Sequence, residues 1–190
     1  MIKSDLRSYG SSFSDNGALS AIAHAFVYAG DSQQASTVLN RISDDHFKAD
    51  ALREIAASYA KLGDKEKASA LLAEAVKTAG LIRYDDHKAN ALSATAASYA
   101  KLAESSNDRA LYDQTFRFIE GFGSDDGRDN MLQSILSTKL AIADVGRLRA
   151  LTSHYSSEAG KAKALARILM AVSHPELIGK EKESEDDNDR

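Results

Sequence analysis

The chain of 190 residues contains no cysteine and no tryptophan, and Pro175 is its only proline. The absence of cysteine excludes disulfide bonds, thiolate metal sites and cysteine nucleophiles. Aromatic residues are also scarce, at 7% of the chain. A sequence with so little proline and aromatic content, and with many alanines and leucines, favours helices over strands. We therefore predict an all-α protein.

Long apolar runs and basic clusters are missing as well. No segment has the length or apolar character of a membrane span or a secretory leader, so we expect a cytoplasmic protein without a membrane partner. The net charge is −4, and most of it falls in residues 180–190, where six acidic residues stand against three basic ones. Because phosphate backbones require a basic field, we expect no nucleic-acid partner.

One helical pattern recurs along the chain. An Ala-Leu or Met-Leu pair is followed by apolar residues at helical spacing, as in an amphipathic helix. The leucines of these pairs are separated by 33, 40, 40 and 33 residues, and they are Leu19, Leu52, Leu92, Leu132 and Leu165. Five copies at two related spacings predict a repeat architecture.

Each repeat is predicted to be a helical hairpin. Gly30-Asp31 and Gly63-Asp64 follow the first helices, where glycine suits a left-handed helix end and aspartate caps the next helix. The pairs Ala103-Glu104 and Ala143-Asp144 hold the matching places in later copies. Since the 40-residue repeats carry seven extra residues, we predict longer second helices, the first of which bends or ends near Gly80. Residues 105–107 are predicted to lengthen the third connection.

The pattern resembles the tetratricopeptide repeat. The second copy carries the family's positions most fully, with Leu52, Ile55, Ala56, Tyr59, Gly63, Asp64, Ala68, Leu72 and Ala75. The resemblance implies a right-handed α-α solenoid of about four hairpins plus a C-terminal closing helix. In the third copy the turn glycine is missing, and in the fourth Lys139 replaces the aromatic residue and Leu148 the small one. The predicted organisation is an irregular segment at 1–14, a repeat domain at 15–174 and a disordered acidic tail at 175–190.

The strongest candidate for chemistry is a recurring acidic motif, at Asp44-Asp45-His46, Asp85-Asp86-His87 and Asp125-Asp126-Gly127. Aspartate and histidine are metal ligands, and a repeat could stack these segments along one edge. The favoured interpretation is that the aspartates cap the helices that follow. We find no nucleophile elbow, no phosphate-binding glycine loop and no suitably spaced catalytic set. The sequence therefore predicts neither an enzyme nor a cofactor, and a metal-dependent enzyme is the least favoured alternative.

The resemblance implies that the first helices line a concave surface that binds a protein or peptide. The positions that would face a partner are His24, Tyr28, Arg53, Lys61, Asn90, Lys101, Asn130 and Gln133. Basic side chains at these places would engage a carboxylate, and amides would bond an extended peptide backbone. The open alternative is that they form only a solvated face.

The last helix suggests a different partner. Leu165, Ile168, Leu169 and Met170 leave it little polar face, whereas helical repeats normally end in a helix with a polar outer side. An exposed apolar helix favours self-association. The second functional hypothesis is thus a homo-oligomeric structural or assembly protein, and the competing explanation is that this helix folds back on the fourth repeat.

Overall fold

The architecture is taken from a computed structural model, which describes residues 2–121, 123–136, 138 and 144–177, with side chains described for 15–176 of these ranges. The described residues form nine α-helices and two short 3-10 turns, with no strand, which confirms the all-α prediction. The helices are α1 Ile2–Tyr28, α2 Ser32–Leu39, α3 Asp45–Lys61, α4 Lys65–Leu81, α5 Asp85–Ser106, α6 Arg109–Glu120, α7 Asp125–Leu136, α8 Val145–Leu151 and α9 Glu158–Ser173. The chain divides into two compact units, Met1–Thr95 and Ala96–Arg190, with the boundary inside α5.

Both chain ends contain helical structure that the sequence did not predict. The backbone is helical from Ile2, so the expectation of an irregular segment at 1–14 was wrong for residues 2–14. No proline interrupts this segment, and extending a formed helix is far easier than starting one. At the other end, α9 stops at Ser173 and Pro175–Leu177 form a 3-10 turn. The rest of the predicted tail, 178–190, lies outside the described residues.

The first unit begins with two helical hairpins whose turns follow the predicted chemistry. Gly30 and Gly63 have φ angles of +79° and +84°, the left-handed conformation that glycine adopts without strain. Asp31 and Asp64 then cap α2 and α4 by accepting hydrogen bonds from the backbone amides of Gln34 and Lys67. These cap predictions are confirmed.

The core of the first unit lies between the paired helices. α1 packs on α2 and α3, and α3 packs on α4. Leu52 and Ile55 of α3 and Leu72 of α4 are almost completely buried. Tyr59, the aromatic position of the repeat, donates a hydrogen bond from its hydroxyl to Ser32 Oγ at 2.7 Å, so it ties α3 to the start of α2. α4 continues to Leu81, which confirms the longer second helix of this repeat.

The next connection was predicted wrongly. α5 runs to Ser106, and the turn is made by Asn107, with a φ of +50°, and Asp108, which caps α6. Asparagine tolerates the left-handed conformation better than other residues with a side chain, so it takes the place of glycine. Ala103 and Glu104 are therefore helical. The extra residues of this repeat lengthen the first helix instead of the connection or the second helix.

The second unit has a core built from α6 to α9. Phe116 of α6, Leu132 of α7 and Leu148 of α8 are fully buried, so Leu148 fills the core in place of the small residue of the repeat pattern. Lys139 lies outside the described residues. Leu165 of α9, the leucine of the repeat pattern in this helix, is 42% exposed, because α9 buries Ala164 and Ile168 instead.

Candidate protein-binding surfaces

A row of polar side chains crosses the first helices of the first unit. His24 Nε2 of α1 lies 3.4 Å from a carboxylate oxygen of Glu54 on α3. Arg53 lies 3.7 Å from Glu54 and 3.5 Å from Asp50, and Asp50 lies 3.6 Å from His46 Nδ1. We call these five residues the polar row. They bring two predicted binding residues, His24 and Arg53, onto one continuous surface.

The polar row changes what Arg53 can do. Its guanidinium is about one-quarter exposed and faces two carboxylates of its own helix, those of Asp50 and Glu54. A carboxylate from a partner would have to compete with both. Asp50 and Glu54 therefore weaken the ion pair that Arg53 is predicted to form with an acidic group of a partner, and a single ion pair at such a partly exposed site is weak.

The other predicted binding residues lie at the surface. Tyr28 at the end of α1, Lys61 at the end of α3 and Asn90 on α5 are exposed in the first unit. Lys101 on α5 and Asn130 and Gln133 on α7 are exposed in the second unit. The eight predicted residues are thus divided between the two units, and all are accessible to solvent to some degree.

The acidic motifs have different roles in the two units. Asp44 caps α3, because its carboxylate accepts hydrogen bonds from the backbone amides of His46 and Phe47 at 2.9 and 3.0 Å. This confirms the capping interpretation for the first motif. The first and second motifs also lie side by side, as a repeat allows, since the rings of His46 and His87 lie 5.3 Å apart and nearly perpendicular.

The first motif and His87 of the second motif lie in the wall of an open cleft of about 520 Å³. We call it the ring cleft, and it is lined by Ser43, Asp44, Asp45, His46, Phe47, Asp50, Leu81, Ile82, Arg83, Tyr84 and His87. Its position follows from the fold, because the start of α3, the end of α4 and the start of α5 meet there. Leu81 and Tyr84 are 67% and 73% exposed, so large apolar surfaces are open to solvent in the cleft.

The capping prediction was wrong for the third motif. Asp125 does not cap α7; the hydroxyl of Ser124 accepts from the amide of Gly127 instead. The Asp125 carboxylate accepts from the backbone amides of Ser156 and Ser157 and from the Ser157 hydroxyl, at 2.7 to 3.0 Å. These hydrogen bonds, chiefly that from the Ser156 amide, hold the pKa of Asp125 well below its usual range. Asp125 therefore fixes the loop that leads into α9.

Sequence reasoning missed a buried acidic centre close to this loop. The carboxylate of Asp129 on α7 is 4% exposed and lies 2.7 Å from Lys163 Nζ and 3.2 Å from Arg167 Nη1, both on α9. The hydroxyl of Tyr155 donates to it at 3.1 Å. A signal was present, since Asp129 stands three residues before Leu132 on the apolar face of the helix. With its charges compensated inside the unit, the centre holds α7 and α9 together.

Within the described ranges, no group of three or more histidine, aspartate or glutamate side chains is placed to hold a metal ion. No helix in the described part of the chain combines the length and apolar character needed to cross a membrane. Comparison with protein-family models, curated proteins and solved structures found no match.

Proposed function

We propose that the chain is a tetratricopeptide-like helical repeat that binds a protein or peptide through its first helices and catalyses no reaction of its own. One observation carries this proposal. The first helices of three successive repeats are linked side by side through polar side chains, His24 to Glu54 between α1 and α3, and His46 to His87 between α3 and α5.

Such a surface suits binding better than catalysis. Repeat proteins use the faces of successive helices as extended binding surfaces, since each repeat adds area without a larger core. Around the polar row, Tyr28, Lys61 and Asn90 are exposed on the same three helices. An exposed tyrosine offers contact area at little entropic cost, and lysine and asparagine offer hydrogen bonds to a peptide. The cytoplasmic location stays a prediction.

The experiment compares two exposed lysines of the first unit. Lys61→Glu reverses a charge at the end of α3, and Lys77→Glu reverses a charge on the second helix α4. Both variants are first checked for wild-type helical circular dichroism. Partners captured from extract are identified and then titrated as purified proteins. We expect Lys61→Glu to weaken binding and Lys77→Glu to leave it unchanged. Equal affinities for both variants and wild type would place binding elsewhere.

A second candidate, self-association, is favoured by the outer side of α9. Leu165, Leu169 and Met170 are 42%, 67% and 65% exposed, and Ala162 and Ala166 are exposed beside them. These five residues follow the i, i+3, i+4, i+7, i+8 spacing of a helix-packing stripe. Small residues between large ones allow a second helix to approach closely. The stripe alone is much smaller than the roughly 800 Å² per partner of a stable interface, so additional surface would have to join it.

Sedimentation at increasing protein concentration tests the second candidate. We expect the wild-type mass to rise with concentration, and a Leu169→Glu, Met170→Glu double variant to stay monomeric. The exposed aspartate Asp126 offers a control outside the stripe, through Asp126→Lys. A wild-type chain that remains monomeric at the highest concentration would exclude self-association through this helix.

A further inference from the structure

The ring cleft contains a row of aromatic side chains that spans two helices. His46 contacts Phe47 with ring centroids 6.1 Å apart, and His87 contacts Tyr84 at 6.0 Å, while His46 and His87 meet at 5.3 Å. All three contacts are edge-to-face, with interplanar angles between 62° and 78°. Tyr84 and His87 are exposed, so the row offers ring surface to solvent, and the face of an aromatic ring attracts cations.

The charge around the rings also favours a cation. Five aspartates line the ring cleft and the smaller pocket of about 300 Å³ beside Tyr84 and His87, namely Asp44, Asp45, Asp50, Asp85 and Asp86. Arg83 is the only arginine or lysine in either lining. Asp44 serves as a helix cap, and Asp50 faces Arg53. The other three aspartates still outnumber Arg83. The positive starts of α3 and α5 add only about half a charge each, so the cleft remains negative.

In the second unit, an arginine of this chain already occupies a similar combination of aromatic ring and carboxylate. Arg147 lies with its guanidinium carbon 4.4 Å from the ring centroid of Phe116, and its guanidinium pairs with the carboxylate of Asp113. Ring face, carboxylate and guanidinium thus form one packed cluster. In the ring cleft the rings and carboxylates are present, and Arg83, the single arginine of the lining, is exposed.

We propose that the ring cleft binds an arginine side chain presented by a partner protein. This inference rests on the proposed protein-binding function and names the chemistry of one part of the partner. Arginine fits better than lysine, because its planar and weakly hydrated guanidinium stacks on rings while donating two parallel hydrogen bonds to a carboxylate. The exposed side chains of Leu81 and Tyr84 provide apolar surface for the aliphatic part of the arginine.

The test uses N-acetyl-arginine amide as the probe and N-acetyl-citrulline amide as its neutral match. Each is titrated into the ¹⁵N-labelled full chain at low salt and about pH 8, above the range in which free histidine titrates. We expect the arginine probe to shift the amide signals of residues 44–47 and 83–87, with binding that weakens as salt is added. Citrulline binding as tightly, or shifts confined to other residues, would overturn the proposal.

Three variants test whether the arginine probe binds at the ring cleft. Tyr84→Ala is expected to weaken arginine binding about two- to fivefold, which corresponds to an exposed cation–π contact. Leu62→Ala removes a similarly exposed apolar side chain at the end of α3, outside the cleft lining, and is expected to leave arginine binding unchanged. Arg83→Gln removes the competing cation and is expected to tighten binding. Equal effects of Tyr84→Ala and Leu62→Ala, or weaker binding by Arg83→Gln, would contradict the proposal.

The same variants separate this inference from the proposed function. A purified partner that loses affinity for Lys61→Glu but binds Tyr84→Ala and wild type equally would uphold the proposed function and overturn the arginine site. A partner that loses affinity for both variants, and whose own arginine-to-glutamine substitution abolishes the effect of Tyr84→Ala, supports both. Specific binding of the arginine probe without any protein partner would support the cleft alone.

Discussion

The buried carboxylate of Asp129 is the most informative place to perturb the second unit. Asp129→Ala removes the acceptor for the Tyr155 hydroxyl and the counter-ion of Lys163 and Arg167. Tyr155 is buried, so its hydroxyl would be left without this acceptor in the protein interior. The two cations are partly exposed and can turn toward water.

The expected loss in the free energy of unfolding of Asp129→Ala follows from these different exposures. A hydrogen bond to a charged group contributes about 1.5–3 kcal/mol, and most of that is lost for the buried Tyr155 hydroxyl. Lys163 is half exposed, so its ion pair contributes less than about 1 kcal/mol. Arg167 keeps its hydrogen bond to the backbone carbonyl of Asp129, which the substitution leaves in place. We expect a loss of about 3 kcal/mol, near the lower limit for breaking a fully buried ion pair.

Urea unfolding monitored by circular dichroism measures this loss, with Asp126→Ala as the control. Asp126 is an exposed aspartate on the same helix, and its removal is expected to change the free energy of unfolding by less than about 0.5 kcal/mol. A double-mutant cycle of Asp129→Asn with Tyr155→Phe then isolates the hydroxyl–carboxylate interaction. If Asp129→Ala and Asp126→Ala prove equally mild, Asp129 is not buried among these partners and our account of α7 and α9 is refuted.

Three further predictions concern turns, caps and pH. Gly63→Ala should lower the free energy of unfolding by about 1–2 kcal/mol because Gly63 has a positive φ, whereas Gly80→Ala, in the last turn of α4, should raise it by about 0.5 kcal/mol. At neither position does the added Cβ meet an atom within 4 Å. An equal effect of the two variants in urea unfolding would therefore contradict the backbone argument. Asp44→Ala should cost about 1 kcal/mol through loss of the α3 cap, and a change within error of zero in the same assay would remove that role. Burial raises the pKa of Tyr99 and of Tyr112 to about 12, so the stability that these groups contribute is intact below about pH 10 and falls as the unfolded chain ionises first. The part of the tyrosinate absorbance that is lost in Tyr99→Phe or Tyr112→Phe should therefore rise together with loss of helix, and a rise of that part in the intact helical state would contradict the argument.

The candidate surface could be predicted only in part. A repeat can place equivalent segments next to one another, and the starts of α3 and α5, which carry the first two acidic motifs, do lie side by side. The spacing did not reveal that Arg53 faces Asp50 and Glu54, or that Tyr84 and Leu81 stay exposed beside the histidines. Side-chain direction and exposure depend on the neighbouring helix, which a single-sequence pattern does not contain.

The sequence by itself determined the helices and most of their ends, since these depend on local chemistry. The apolar period, the turn glycines at 30 and 63 and the capping aspartates act within a few residues of chain. The tertiary structure decided the rest. Asp125 does not cap α7 as expected but accepts hydrogen bonds from a loop some thirty residues away. Helix α9 buries Ala164 and Ile168 and exposes Leu165. Such choices are settled by competition between distant partners for the same carboxylate or helix face, and only the packed chain brings those partners together.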